Sequence, residues 1–161
     1  MRSIVFVVCA LTFLAVCPST GFAQVDPVTF GTWKLNVAKS VFSLGPPPAA
    51  QTQVWERSGE GVKVSVETVT GPGSRIEYGY TARVDGQEYP MDGDLTPNGA
   101  ETIALTRLDA HTVAATLRRT GEVVLTIRIA TSSDGRVLTL TSTGTNRNEQ
   151  PTDSVTVFDK Q

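Results

Sequence analysis

The sequence predicts an all-β protein: an antiparallel up-and-down β-barrel of about eight to ten strands. Apolar and polar residues alternate in short runs, most clearly where Ile76, Tyr78 and Tyr80 alternate with charged neighbours. Turn residues such as Asp85-Gly86 separate the runs at short intervals. No run has the helical period that crossovers between parallel strands would need. These three observations favour hairpin-connected strands around one core.

The first 23 residues have the pattern of a secretory signal peptide. Met1-Arg2-Ser3 is basic, residues 4–16 are apolar, and small residues lead to Ala23. The apolar run is shorter than the roughly 18 residues of a membrane span, and no later run approaches that length. We therefore expect export to the periplasm or the extracellular space. Residues 24–161 should form one barrel domain that begins at Gln24 and lacks an integral membrane segment.

Both cysteines, Cys9 and Cys17, lie in this signal segment, so the remaining chain has no disulfide. A lipoprotein alternative places a lipid on Cys17. The residue before Cys17 is Val16, where such cleavage sites normally have a small residue. The simpler interpretation is that Cys17 is a small apolar residue of the signal.

Composition excludes two classes of partner. Arg2 is the only charged residue of the signal, so the rest carries 13 basic and 16 acidic side chains, a net charge of -3. This balance argues against nucleic acid and against an anionic membrane surface. Nothing in the sequence indicates an oligomeric state.

Alternation and turns define ten predicted strands. The first contains Trp33 and Leu35 on one face, and in the third Val62 and Val64 alternate with polar residues. In the eighth, we expect Val123, Leu125, Ile127 and Ile129 on one apolar face. Residues 38–44 could form one helical turn, and Gly45 with three prolines then ends regular structure. The predicted strands cover residues 31–37, 51–58, 62–67, 75–84, 87–91, 101–108, 112–118, 122–131, 136–142 and 154–159.

The run Phe30-Gly31-Thr32-Trp33-Lys34-Leu35 resembles the first strand of the calycin barrels, which include lipocalins and fatty-acid-binding proteins. With Asn36, Ala38-Lys39-Ser40 and the proline-rich stretch, it also resembles secreted bacterial lipocalin-like proteins of uncharacterised function, over most of the exported chain. The resemblance implies an interior ligand site and a Trp33 that packs across the closed barrel end. The ending Val157-Phe158-Asp159-Lys160 is similar to the last strand of fatty-acid-binding proteins. Their carboxylate-holding Arg-x-Tyr corresponds to Thr156 and Phe158, which carry no charge, and their helical lid corresponds to the proline-rich stretch.

The apolar face supplies the candidate binding residues. We expect Trp55, Tyr78, Tyr80, Leu125 and Ile127 to line a cavity that binds a small apolar ligand, and Trp33 to be structural. The alternative is that these residues fill the core of a structural or protein-interaction module without a ligand. Both interpretations remain open, since an eight-stranded barrel leaves room for one small ligand at most.

The sequence offers little catalytic chemistry, so an enzyme is not expected, nor a cofactor or metal. His111 is the only histidine and follows a turn at Asp109, without a second histidine or cysteine to complete a site. Asp92-Gly93-Asp94 lacks the further acidic positions of a calcium loop. Glu67 and Glu77 could meet across a hairpin, but both lie opposite the apolar face. Nucleophile-elbow, zinc-protease and phosphate-loop motifs are missing.

Overall fold

A computed structural model describes residues 25–43, 45–93, 95–146 and 148–161. The predicted signal segment, its cleavage site after Ala23 and Cys17 lie outside the described residues. Leu44 and Asp94 do so as well. Within the described ranges, the helical turns are all too short to cross a bilayer.

Ten antiparallel strands close into one barrel. Each strand pairs with the next along the chain, and β1 pairs with β10 through Trp33 opposite Lys160 and Leu35 opposite Phe158. The predicted fold class is therefore confirmed. The strands are β1 Gly31–Leu35, β2 Ala50–Ser58, β3 Gly61–Val69, β4 Arg75–Ala82, β5 Glu88–Gly93, β6 Thr102–Arg107, β7 Thr112–Arg119, β8 Glu122–Thr131, β9 Val137–Gly144 and β10 Ser154–Lys160. Short 3-10 turns cover Pro27–Thr29, Val37–Lys39 and Pro97–Gly99.

One end of the barrel is closed around Trp33. Its side chain is completely buried, and its indole Nε1 donates a hydrogen bond to the Thr29 carbonyl oxygen at 2.8 Å. The Thr29 hydroxyl lies 2.8 Å from the hydroxyl of Thr131, the last residue of β8. The Pro27–Thr29 turn is thus fixed across this end, and the indole has both an apolar environment and a partner for its N–H. Fully buried side chains of the core include Phe158, Leu105, Leu117, Leu138, Val62 and Val64.

A polar contact joins the end of β1 to β10. The Asn36 amide donates to Asp159 Oδ2 at 2.6 Å, and the Lys39 ammonium contacts Asp159 Oδ1 at 3.1 Å. The hydrogen bond from Asn36, then the one from Lys39, lowers the pKa of the Asp159 carboxyl below its ordinary value. Asn36 and Lys39 therefore help to hold the first and last strands together.

Strand β4 has the face predicted from its alternation. Tyr80 and Ala82 are buried, Tyr78 is partly buried and Thr81 is exposed. Tyr80 lies opposite Met91 on β5, the register of a hairpin with Asp85-Gly86 at its tip.

Strand β8 departs from the prediction at its start. Val123 was expected on the apolar face with Leu125, but its side chain is 51% exposed, while Val124 is buried. Leu117 of β7 pairs with Leu125, whereas Arg118 pairs with Val123, so Val124 is an extra residue opposite β7. This β-bulge shifts the alternation by one residue and turns Val123 outward.

Candidate functional site

The barrel end opposite Trp33 carries a pocket of about 450 Å³, which we call the mouth pocket. Its walls include Gln51, Thr68 and Ile76, which lie near the ends of β2, β3 and β4 that meet at this side of the barrel. Segment 95–99, with its 3-10 turn, lies along the pocket. The lining residues are Gln51, Thr68, Ile76, Tyr78, Leu95, Thr96, Pro97, Asn98, Gly99, Asn146 and Asn148, and none of these described residues is charged.

Segment 95–99 is attached to the barrel through Asn98. The Asn98 amide nitrogen lies 3.1 Å from the Val124 carbonyl oxygen, 2.9 Å from that of Thr145 and 3.0 Å from the Thr152 hydroxyl. The Arg119 guanidinium donates to the Asn98 carbonyl oxygen at 3.0 Å. Asn98 has φ 51°, a left-handed conformation that asparagine tolerates better than most residues. Since Val124 is near the start of β8 and Thr131 is its last residue, segment 95–99 and the Pro27–Thr29 turn cover opposite ends of the barrel.

Below the mouth pocket lies a second, much smaller space of about 30 Å³, which we call the inner cavity. Tyr78 and Pro97 line both spaces, so they form the boundary between them. A cavity of this size holds one or two water-sized groups, since a single water needs roughly 10–15 Å³. The inner cavity alone therefore does not have room for an apolar molecule.

The structure places four of the five candidate ligand residues around the inner cavity. Trp55, Tyr78, Tyr80 and Ile127 all line it. Leu125 is buried in the hydrophobic core but is not among the residues that line the inner cavity. Their role in binding remains a prediction.

The polar groups at the inner cavity are uncharged. Gln53 is buried, and its Oε1 accepts a hydrogen bond from Trp55 Nε1 at 3.1 Å. The indole can only donate, so this contact fixes the orientation of the amide and leaves its NH₂ group on the other side. Among the described residues, neither that NH₂ group nor the hydroxyls of Tyr78 and Tyr80 has a hydrogen-bond partner.

Burial affects the two phenols in the same direction. It raises the pKa of Tyr78 to about 12. The pKa of Tyr80 is raised further, first by burial and then by the proximity of Tyr78. Both hydroxyls therefore stay protonated at neutral pH and can donate hydrogen bonds, while this part of the barrel disfavours negative charge.

The sequence reasoning missed most of the residues around the two spaces, and Gln53 and Pro97 show two different reasons. Gln53 shares the inward face of β2 with Trp55, because side chains two residues apart lie on the same side of a strand. The period-2 pattern thus contained the signal for Gln53, but its polarity concealed it. Pro97 offered no comparable signal, because its position depends on how the loop folds back over the barrel.

The other residues considered for chemistry line neither the mouth pocket nor the inner cavity. His111 is largely exposed, and its Nδ1 lies 2.6 Å from Asp26 Oδ2 near the closed end. Glu67 and Glu77 are cross-strand partners on the outside of the barrel, where Glu67 pairs with Arg75. Among the described side chains, no three histidine, cysteine, aspartate or glutamate residues come together as metal ligands would. Glu67 and Glu77 are therefore best described as solvated surface charges.

The fold is an all-β, closed antiparallel barrel of ten strands, with the mouth pocket at one end. Among solved structures, the chain is similar to the zebrafish ileal bile acid-binding protein in complex with cholic acid. The TM-score is 0.52 at 10% sequence identity, and the match covers 83% of this chain and 99% of the other. At this identity the likeness concerns the fold. Neither a protein-family model nor a curated protein sequence matches the chain.

Proposed function

We propose that this protein is an exported, non-catalytic barrel that binds a small apolar molecule at its mouth. The observation that carries the proposal is the mouth pocket of about 450 Å³, which lies within the range of roughly 300–1,000 Å³ typical of ligand sites. Ile76, Leu95 and Pro97 give it apolar walls, and Tyr78 connects it to the inner cavity. A structural neighbour of the same fold is a bile acid-binding protein, which agrees with this use of a barrel.

The proposed site lies closer to the barrel mouth than the site expected from the sequence. The inner cavity is only about 30 Å³, because Trp55, Leu117 and Ile129 fill the middle of the barrel. The body of a ligand therefore occupies the mouth pocket, and the inner cavity receives at most one small group. Tyr78 is the central binding residue of this arrangement, since it borders both spaces.

Export and the lack of catalysis belong to the same proposal. The basic start, the apolar run of residues 4–16 and the small residues before Ala23 support export to the periplasm or the extracellular space. Among the described residues, the polar groups around the mouth pocket are amides and hydroxyls. These groups orient a ligand by hydrogen bonding, and the described residues that line the pocket include no carboxylate or histidine to act as a general base.

One observation favours a second candidate function. The small inner cavity and the continuous core cluster are also what a structural or protein-interaction module with a filled core would have. In that case the mouth pocket is a surface depression without a ligand. The two functions differ in whether the folded protein binds an apolar molecule saturably.

Titration of the purified protein with Nile red, an uncharged apolar dye, separates the two. Under the binding proposal, the dye's emission increases saturably with one site per chain. Tyr78→Ala should weaken the affinity about tenfold or more, because it removes a wall of both spaces. Thr81→Ala is the matched control, since Thr81 is exposed on the opposite face of the same strand. Unsaturable dye binding by the wild-type protein would contradict the proposal and favour the filled core. Native mass spectrometry of protein from its own host would identify a ligand that co-purifies.

A further inference from the structure

We propose that the ligand is an uncharged amphiphile whose single hydroxyl or carbonyl oxygen enters the inner cavity, while its apolar body fills the mouth pocket. This inference rests on the proposed function and specifies its ligand class. It is carried by the uncharged polar groups of Gln53, Tyr78 and Tyr80, which line the inner cavity; the described residues offer them no hydrogen-bond partner apart from the bond between Trp55 and Gln53.

Tyr80 is the strongest single indication of a polar guest. Its side chain is only 7% exposed, it lines the inner cavity, and its hydroxyl has no partner among the described residues. Among the described residues, the buried side-chain polar atom without a partner is Arg107 Nε, so the Tyr80 hydroxyl instead faces a space in which a water or a ligand group can bond to it. The inner cavity, at about 30 Å³, has the size for such a group.

The groups around the cavity can all donate. The phenols of Tyr78 and Tyr80 each offer an O–H, and the NH₂ group of Gln53 is free to donate because its oxygen is engaged by Trp55. Donors that line one small space fit an oxygen acceptor. A ligand oxygen would replace water there without loss of hydrogen bonds.

The charge of the ligand's oxygen group decides which chemical classes fit the inner cavity. The described residues that line the inner cavity include neither lysine nor arginine, so a carboxylate placed there would have no cation among them to pair with. The same desolvation that raises the pKa of both phenols would raise that of a bound carboxylic acid. An acid would therefore enter mainly in its protonated form, whereas an alcohol, ketone or ester enters without that cost.

The two spaces together fit a ligand that has one polar end and an apolar body. Tyr78 and Pro97 separate the two spaces, and the outer one is bordered by Ile76 and Leu95. A molecule with its oxygen at one end can place that oxygen between the phenols and leave its hydrocarbon part in the mouth pocket. A ligand with charges at both ends would leave one of them in the apolar interior.

The test is competition against Nile red by two molecules of equal chain length, 1-dodecanol and dodecanoate, both kept below their aggregation limits. At pH 7 the alcohol should displace the dye at a concentration at least tenfold lower than the acid. Lowering the pH to 5 should narrow this ratio, because more of the acid is then protonated. Equal or tighter binding of dodecanoate at pH 7 would overturn the inference while leaving the binding function intact. Failure of Nile red itself to bind would instead overturn the proposed function, and the inference with it.

Tyr80→Phe provides a second readout, because it removes the hydroxyl and keeps the ring. It should weaken the affinity for 1-dodecanol about three- to tenfold, the range expected for the loss of one hydrogen bond. The affinity for Nile red should stay closer to that of the wild type. Tyr89→Phe is the matched control: the Tyr89 hydroxyl bonds Asp85 at 2.8 Å near the hairpin tip, away from both spaces. An equal loss of alcohol affinity in both variants would overturn the role assigned to Tyr80.

Discussion

Replacing Trp33 by alanine tests whether the closed end holds the barrel together. The indole is completely buried, and a buried tryptophan removes about 150–250 Å² from water. At about 25 cal/mol per Å² this burial is worth about 4–6 kcal/mol, an upper estimate because unfolded chains already bury some surface. Loss of the hydrogen bond to the Thr29 carbonyl adds about 1 kcal/mol, and partial collapse of the cavity offsets part of the total. Trp33→Ala should therefore lower the free energy of unfolding by about 3–5 kcal/mol.

Urea denaturation followed by circular dichroism measures this loss. With an m-value of about 1–3 kcal/mol per molar urea, the midpoint should fall by at least about 1 M. Trp33→Phe keeps an aromatic ring but loses the indole N–H, so it should fall between the wild type and the alanine variant. Lys34→Ala is the control, since the next side chain along β1 is exposed and its loss should cost less than about 0.5 kcal/mol. A midpoint for Trp33→Ala equal to that of Lys34→Ala would refute the assignment of Trp33 to the barrel end.

Three further predictions follow from the described contacts and from the sequence. In the native protein, the phenols of Tyr78 and Tyr80 keep protons that an unfolded chain releases near pH 10. The free energy of unfolding should therefore fall as the pH rises from about 10 to 12, by about 1.4 kcal/mol per pH unit for each of these tyrosines. Tyr78→Phe should make that fall shallower in urea titrations, and an unchanged slope would argue against burial of its hydroxyl. Asn98→Ala should accelerate amide exchange at Gly99 and Ala100, whose N–H groups close the Pro97–Gly99 turn; exchange at the wild-type rate would show that the Asn98 amide does not hold the segment. N-terminal sequencing of the exported protein should begin at Gln24, whereas an intact Met1 in the cytoplasm would contradict the signal and a lipid on Cys17 would favour anchoring.

Strand positions follow from sequence alternation because a half-buried strand must separate its faces at every second residue. This is why the face of β4 with Tyr78 and Tyr80 was predictable without coordinates. The same rule failed at Val123, since a single extra residue at Val124 exchanges the faces and a bulge has no periodic signature. The rule also contained Gln53, whose position two residues before Trp55 places it inside.

The mouth pocket was less predictable than the strands that surround it. Its cover depends on Asn98, which contacts residues 26 to 54 positions further along the chain. Contacts of that range are set by how the loop folds onto the finished barrel, and a local pattern of turn residues does not encode them. The sequence therefore predicted a site that faces the interior, whereas the mouth pocket is much larger than the inner cavity.

Under the binding proposal, one end of the barrel contributes stability and the other binds the ligand, and this division can be measured. Trp33 and Phe158 are completely buried and line neither the mouth pocket nor the inner cavity, whereas Tyr78 lines both. Effects of substitutions that share no partners normally add. The double variant Trp33→Phe with Tyr78→Ala should therefore lose as much unfolding free energy as the two single variants together, and as much Nile red affinity as Tyr78→Ala alone. A dye affinity that drops further in the double variant would mean that the closed end shapes the mouth pocket, and that the barrel has to be treated as one coupled site.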